Sequence, residues 1–302
     1  MPRVHVLAAA VLYGTTGTAQ ALGPDIEPLA VGSARIVVGA ALLALAALAA
    51  GRAGGRSPAS LGVGDRRFVL AAGLFVAVYQ ASFFAAVADT GVAVGTVVAL
   101  GSAPAFTGLF SRVFAGERLE RRWFAATGLA CAGVALLTLG GSSGGELSVP
   151  GVGLALAAGA GYAGYAVIGK HLLDRGGTPE GVMAAVFCAG ALALLPALFF
   201  VDSGDLLTAD GLALAAYLGV VTTALAYVLF AKGLQRIGAS DTATLTLAEP
   251  VTALALGVLV LGERPGPEAV AGAGLVLAGL ALLAVRVDRR RVRAPRTAEA
   301  PA

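Results

Sequence analysis

The chain has 302 residues, of which 58% are hydrophobic and only 13% are charged. Water-soluble domains carry roughly 25% charged residues, so this composition excludes an ordinary soluble protein and favours an integral membrane protein. The net charge of +3 would suit a nucleic-acid partner, but the arginines lie in short segments between apolar runs, which is the pattern of membrane topology.

Ten apolar segments follow one another along the chain, and each is close to the roughly 20 residues that a helix needs to cross a bilayer. They are predicted over residues 4–22, 30–50, 67–88, 91–114, 122–140, 150–170, 180–201, 211–231, 238–261 and 268–287. The first segment could be a cleaved signal peptide, but the nine that follow it favour a first transmembrane helix. The sequence therefore predicts an all-α integral membrane protein with ten transmembrane helices.

The second half of the chain repeats the first at an offset of 146 residues, which carries Pro104 onto Pro250. The same offset carries the turn Gly116–Arg118 onto Gly262–Arg264, and both turns have the sequence Gly-Glu-Arg. Five helices per half make the two halves face opposite ways across the membrane. We predict two inverted-topology repeats over 1–145 and 146–287, followed by a basic cytoplasmic tail over 288–302 that is expected to be disordered. Inverted repeats are typical of transporters, whose substrate site lies at the repeat interface near the bilayer midplane.

The lysines and arginines orient the chain. If the N-terminus is cytoplasmic, all but two of the 21 lysines and arginines fall in cytoplasmic segments. The exceptions are Arg264 in an outer loop and Arg35 inside the second helix. Because cytoplasmic loops are enriched in these residues, we predict a multi-pass protein of the inner (plasma) membrane with both termini in the cytoplasm.

These features resemble the drug/metabolite transporter superfamily, specifically its EamA-type permeases, over residues 4–287. The resemblance is carried by the ten helices in two halves, Glu249-Pro250, the two Gly-Glu-Arg turns, Tyr13-Gly14 and Arg35. It implies ten helices around a central cavity and the export of small metabolites, most often amino acids or related compounds. It does not fix the substrate, since the superfamily also carries drugs, nucleotide sugars and lipid-linked sugars. Many relatives have Glu before proline in both halves, whereas this chain has Ala103-Pro104 in the first.

Glu249 is the sharpest functional candidate, because it falls near the middle of the ninth predicted helix. A charged side chain at the bilayer centre costs at least about 2.5–3.5 kcal/mol on insertion scales, so such a residue usually faces a cavity or a partner. Glu249 could bind protons or oppose a substrate ammonium; the alternative is a protonated carboxyl bonded to a neighbouring helix. Pro104 and Pro250 are predicted hinges or kinks, since a proline in mid-helix frees backbone carbonyls.

Other polar residues inside the predicted helices are candidates for substrate binding or coupling. They are Tyr13, Arg35, Gln80, Tyr162, Tyr227 and Thr246. Thr246 shares a helix face with Glu249, three residues away. Arg35 could pair with Glu249, hold a substrate carboxylate, or extend to the membrane surface. For the tyrosines and Gln80, an ordinary interhelical hydrogen bond is the alternative.

Several classes of function lack their sequence signals. There is no phosphate-binding loop and no metal-ligand spacing, so no cofactor or metal is expected. A membrane-embedded enzyme is disfavoured, because Glu249 is the single acid deep in a predicted helix. We predict a secondary transporter that exports a small metabolite such as an amino acid by alternating access. Proton coupling through Glu249, uncoupled facilitation, a drug or lipid-linked substrate, the direction of transport and the oligomeric state stay open.

Overall fold

The structure is a computed structural model that describes residues 2–53, 65–139, 148–196 and 204–284. Within these ranges the chain forms helices and no strand, which confirms the all-helical prediction for the described part. Most of the hydrophilic segment 51–66, the predicted repeat boundary at 145–146 and the basic tail 288–302 lie outside the described residues.

Ten helices in the described part follow the ten predicted segments in order. They are α1 (Pro2–Leu22), α2 (Pro28–Ala53), α3 (Arg66–Gly91), α4 (Val94–Ala115), α5 (Arg121–Leu139), α6 (Val149–Asp174), α7 (Pro179–Leu194), α8 (Ala209–Leu234), α9 (Ala239–Val260) and α10 (Pro267–Ala284). α3 and α4 meet at Gly91, whose φ of 80° and ψ of 160° leave the helical region. Glycine adopts this left-handed φ without a steric penalty, so the chain turns there without a longer loop.

Six of these helices are long and apolar enough to cross a membrane: α2, α3, α4, α6, α8 and α9. α7 and α10 are shorter apolar helices. α1 carries His5, Gln20 and three threonines, and it is not among the six. The structure therefore confirms several apolar helices of membrane length, while the crossing of the membrane ten times stays a prediction.

Equivalent helices of the two halves make equivalent contacts. α2 packs on its equivalent α7, and α5 packs on its equivalent α10. α1 packs on α8, and the equivalent helices α6 and α3 also pack together. α1 likewise contacts α9, and α6 contacts α4, where Gly159 lies against Ser102. This exchange of partners fits a fold of two repeats.

The seam between α5 and α10 is built on glycine. Gly133 lies against Gly272, and Gly279 lies farther along α10 against Ala126 and Ala130, nearer the start of α5. The two equivalent helices therefore run antiparallel, as an inverted repeat requires. A Cβ at Gly133 would lie 2.6 Å from the Gly272 carbonyl oxygen. Small residues are expected at such seams, because packing rather than hydrophobicity holds helices together in lipid.

α8 and α9 are the two irregular long helices of the described part. α8 contains a π-helical stretch, Leu218–Leu225. α9 consists of Ala239–Thr246 and Glu249–Val260, separated by a turn at residues 247–248. Pro250 follows that turn, whereas α4 stays helical through Pro104. The structure thus interrupts α9 just before Glu249.

Candidate functional site

A small cavity of about 30 Å³ lies at the interruption of α9. Six of the predicted site residues line it: Tyr13, Arg35, Tyr162, Tyr227, Thr246 and Glu249. They come from α1, α2, α6, α8 and α9, so both halves of the chain contribute. Arg35 thereby brings α2 to the cavity.

Five further residues line the cavity: Tyr79, Leu100, Ala103, Ala243 and Leu247. The apolar ones carry no polar signal from which a site could be predicted. The internal repeat gives a signal for two of them, because Leu100 and Ala103 are the equivalents of Thr246 and Glu249 at the offset of 146 residues. Aligning the two halves would therefore have placed both residues at the cavity.

Glu249 occupies a special backbone position, since it opens the second segment of α9. In the preceding turn, the N–H of Leu247 donates to the Thr244 carbonyl at 3.2 Å, and the N–H of Ala248 donates to the Leu245 carbonyl at 3.2 Å. Both are the short-range bonds of a tightened helix end. A helix N-terminus has unpaired N–H groups and a partial positive charge, which favour a carboxylate there.

Gly14 lets α1 approach this interruption closely. A Cβ at Gly14 would lie 2.7 Å from the backbone carbonyl oxygen of Glu249 and 2.6 Å from the Cβ of Thr252. Its neighbour Tyr13 lines the cavity, and the Tyr13 ring packs on Tyr227 with centroids 5.1 Å apart. Tyr13 thus lines the cavity, and Gly14 packs against the backbone of α9 at Glu249.

Arg35 and Glu249 bring a guanidinium and a carboxyl group to the cavity. Neither residue forms a salt bridge with any other residue that the structure describes. The Nη2 of Arg35 donates a long hydrogen bond of 3.4 Å to the Oε1 of buried Gln80. The Arg35 Nε and the Gln80 Nε2 are buried and have no hydrogen-bond partner in the described part of the chain. The Arg35 guanidinium therefore has free donor capacity at the cavity.

Thr246 of α9 and Tyr162 of α6, both in the second half, contact each other at the cavity. The Thr246 hydroxyl donates to the Ala243 carbonyl at 2.7 Å, and the Tyr162 hydroxyl lies 3.1 Å from the Thr246 Oγ1. Since the threonine proton is already used, Tyr162 is the donor in the second bond. The ordinary interhelical hydrogen bond that was the alternative for Tyr162 therefore exists, and the same side chain lines the cavity.

Most of the chain matches one known protein family. It matches the model of the EamA-like transporter family over residues 4–139 and 149–285. The chain belongs to this family. The protein is 40% identical over 289 residues to an uncharacterized transporter, YwfM, of Bacillus subtilis, with 95% of each chain covered. It is also 35% identical over 192 residues to a probable terminal-alkyne amino-acid exporter of Streptantibioticus cattleyicolor, with 63% of each chain covered.

The fold is shared with a solved protein. A crystal structure of a protein with 25% sequence identity superposes with a TM-score of 0.78, covering 94% of this chain and 96% of that one. The family match, the relatives and the apolar helices together make this protein a multi-pass membrane transporter rather than an enzyme.

Proposed function

We propose that this protein is a secondary transporter that exports an amino acid or a related zwitterionic metabolite by alternating access. The observation that carries the proposal is the pair of opposite charges, Arg35 and Glu249, at one cavity between the two halves. A guanidinium binds carboxylates strongly, and a carboxylate binds ammonium groups. An amino acid carries both groups on one carbon atom, so it matches a site with one charge of each sign.

The size of the cavity supports a transport cycle in which the site opens and closes. Its volume of about 30 Å³ corresponds to roughly one water molecule, whereas sites for small molecules usually measure about 300–1,000 Å³. The described conformation is therefore closed around the site. Binding requires the helices to separate, and in the proposed cycle α1 and α9 part at Gly14 to release the substrate outward.

A much larger cavity of about 930 Å³ lies close by. On α3 it reaches Phe75, one turn from Tyr79 of the small cavity, and on α9 it reaches Ala239, one turn from Ala243. It lies toward the helix ends that the arginine pattern assigns to the cytoplasm. Access from that side suits an exporter, because the substrate then reaches Glu249 from the cytoplasm.

The membrane arrangement belongs to the same proposal. It has ten crossings, inverted repeats over 1–145 and 146–287, and both termini in the cytoplasm of a cell whose inner (plasma) membrane holds the protein. The antiparallel packing of α5 and α10 and the exchange of helix partners between the halves support it. Proton coupling is the further part: Glu249 would hold a proton while the site is empty and release it when a substrate ammonium binds.

The test is transport by purified protein in liposomes, with three compounds that share one side chain. Leucine has both charges, 3-methylbutylamine lacks the carboxylate, and N-acetylleucine lacks the ammonium. We expect leucine to be transported best and Glu249→Gln to reduce its transport roughly 30-fold or more, as removal of one partner of a buried charge contact does. Arg35→Gln should act similarly. Glu263→Gln, on the turn after α9 and outside the cavity, is the matched control.

Different results would reject different parts of the proposal. Equal transport of all three compounds would reject a zwitterion-specific site. Leucine transport by Glu249→Gln at the wild-type rate, under every imposed pH gradient, would remove Glu249 from both substrate binding and proton coupling.

A further inference from the structure

The large cavity, called the vestibule from here on, has an aromatic wall. Four phenylalanines of α3 and α4 line it: Phe68, Phe75, Phe110 and Phe114. The Phe110 and Phe114 rings lie one turn apart on α4, with centroids 5.9 Å apart, and Phe114 is 76% exposed. The adjacent rings of Phe110 and Phe114 offer a surface for an apolar group.

The second half of the chain has no aromatic residues at the positions equivalent to Phe110 and Phe114. Phe110 and Phe114 align with Leu256 and Val260 in the second half, within the stretch where the two halves match without a gap. The aromatic pair thus belongs to the first half alone, on the side that the arginine pattern assigns to the cytoplasm. A feature specific to one side is expected where a substrate is first bound.

Polar groups accompany the apolar wall. Lys170, His171 and Asp174 line the vestibule from the last turns of α6, and the Lys170 ammonium donates to the Asp174 carboxylate at 2.6 Å. On α4, Ser111 is only 1% exposed, and its Oγ has no hydrogen-bond partner among the described residues. Buried hydroxyls nearly always have a partner, so an unpaired one that lines a cavity is available to a bound polar group.

The vestibule leads towards the small cavity. Both are lined by α3, α4, α6 and α9, and Phe75 stands one turn from Tyr79 on α3. The Phe75 ring lies against Gly164 of α6, where any side chain would collide with it. Phe75 therefore forms the inner end of the vestibule, next to the site that holds Arg35 and Glu249.

We infer that the vestibule is a second binding site, which takes up an amphipathic zwitterion with a large apolar side chain before the molecule moves to the small cavity. The phenylalanine wall binds the apolar side chain. The Ser111 hydroxyl and the charges of both signs at the mouth, Lys170 and Asp174, bind the head group. This inference rests on the proposed function, and it narrows the substrate class to amino acids whose side chains fill an apolar space.

The experiment uses a series of unbranched α-amino acids: alanine, norvaline, norleucine and 2-aminooctanoic acid. The KM and maximal rate of each are measured with purified protein in liposomes. Each buried methylene should lower the KM about fourfold in the wild type until the vestibule is filled. The double variant Phe110→Ala/Phe114→Ala should flatten this dependence to less than twofold per methylene.

Two further variants separate the head group from the side chain. Ser111→Ala should raise the KM of every member of the series by the same factor, because it removes a contact to the head group. Phe124→Ala removes a phenylalanine that is 57% exposed on α5, outside the vestibule, and should leave the chain-length dependence intact. Phe114→Ala alone removes little packing, since the side chain is largely exposed, so a folded variant can be measured.

The outcomes distinguish this inference from the proposed function. Transport of none of the four compounds by the wild type would overturn both. Transport of all four, with a chain-length dependence that survives Phe110→Ala/Phe114→Ala, would overturn the vestibule site alone. A dependence that Phe124→Ala changes equally would also overturn it, since partition into the bilayer would then explain the series.

Discussion

α4 and α9 occupy equivalent places in the two halves, yet α9 is interrupted at the cavity and α4 is not. Pro104 and Pro250 stand at the same offset, and each lacks the N–H that would bond the preceding turn. α4 nevertheless stays helical through Pro104, whereas α9 divides at residues 247–248. A mid-helix proline is therefore not sufficient to break a helix in this protein.

The residues before each proline differ in how many side chains bond the backbone: α4 has one such bond, from Ser102 to the Ala99 carbonyl. α9 has Thr242, Thr244 and Thr246, and the hydroxyls of all three donate to backbone carbonyls three or four residues earlier. Such bonds compete with the helix backbone. At the last two of these positions α4 has Val98 and Leu100, which form no such bonds. α9 is therefore the polar, irregular helix at the site, while its equivalent α4 contributes the apolar side chains of Leu100 and Ala103.

The largest expected effect comes from moving the carboxylate between the two helices. In Ala103→Glu/Glu249→Ala the acid lies in the equivalent helix, on the wall of the same cavity. We expect leucine transport to stay roughly 30-fold or more below wild type, as for Glu249→Ala alone, because position 103 lies inside an unbroken helix without free N–H groups nearby. Ala103→Gln is the size control. Recovery of transport in the double variant would show that the two positions are interchangeable and that the break is irrelevant.

The repeat explains how much of this site could be predicted from sequence. The six cavity residues anticipated in advance share one signal, a polar or charged group inside an apolar segment. Leu100 and Ala103 lack that signal, but the 146-residue offset places them opposite Thr246 and Glu249. Ala243 and Leu247 carry neither signal, because their place at the cavity follows from the turn in α9.

Other features depend on tertiary packing and could not be read from one helix at a time. Arg35 donates a hydrogen bond to Gln80, which lies 45 residues away in sequence and on another helix. The π-helical stretch of α8 has no proline or glycine pair that marks it; it packs against α2, where Gly39 faces Thr223. The phenylalanine wall of the vestibule was missed because its members are ordinary apolar residues of membrane helices.

A smaller effect is expected from filling the contact between α1 and the interruption of α9. Gly14→Val would drive a side chain into Thr252 and the Glu249 carbonyl, and overpacking of this kind costs about 1–3 kcal/mol. We expect roughly tenfold slower leucine transport and a lower thermal unfolding midpoint. Gly17 lies on the same helix with no atom within 4 Å of a Cβ built there, so Gly17→Val is the matched control. Equal loss in both variants would mean that any valine in α1 disturbs the helix and that the contact with α9 has no special role.

The smallest expected effect comes from replacing the prolines. This change tests whether Pro250 or the threonines before it cause the interruption of α9 at residues 247–248. Pro250→Ala restores an N–H that can bond the Thr246 carbonyl, so α9 should become more continuous, with transport reduced severalfold and the unfolding midpoint raised. Pro104→Ala should leave transport nearly unchanged, because α4 is helical already. Transport and thermal unfolding of the two variants, measured side by side in the same detergent and lipid, make the comparison. If both variants leave transport unchanged, the proline is not needed for the turn at residues 247–248. The hydrogen bonds of Thr242, Thr244 and Thr246 to the backbone would then be the cause of the turn that places Glu249 at the cavity.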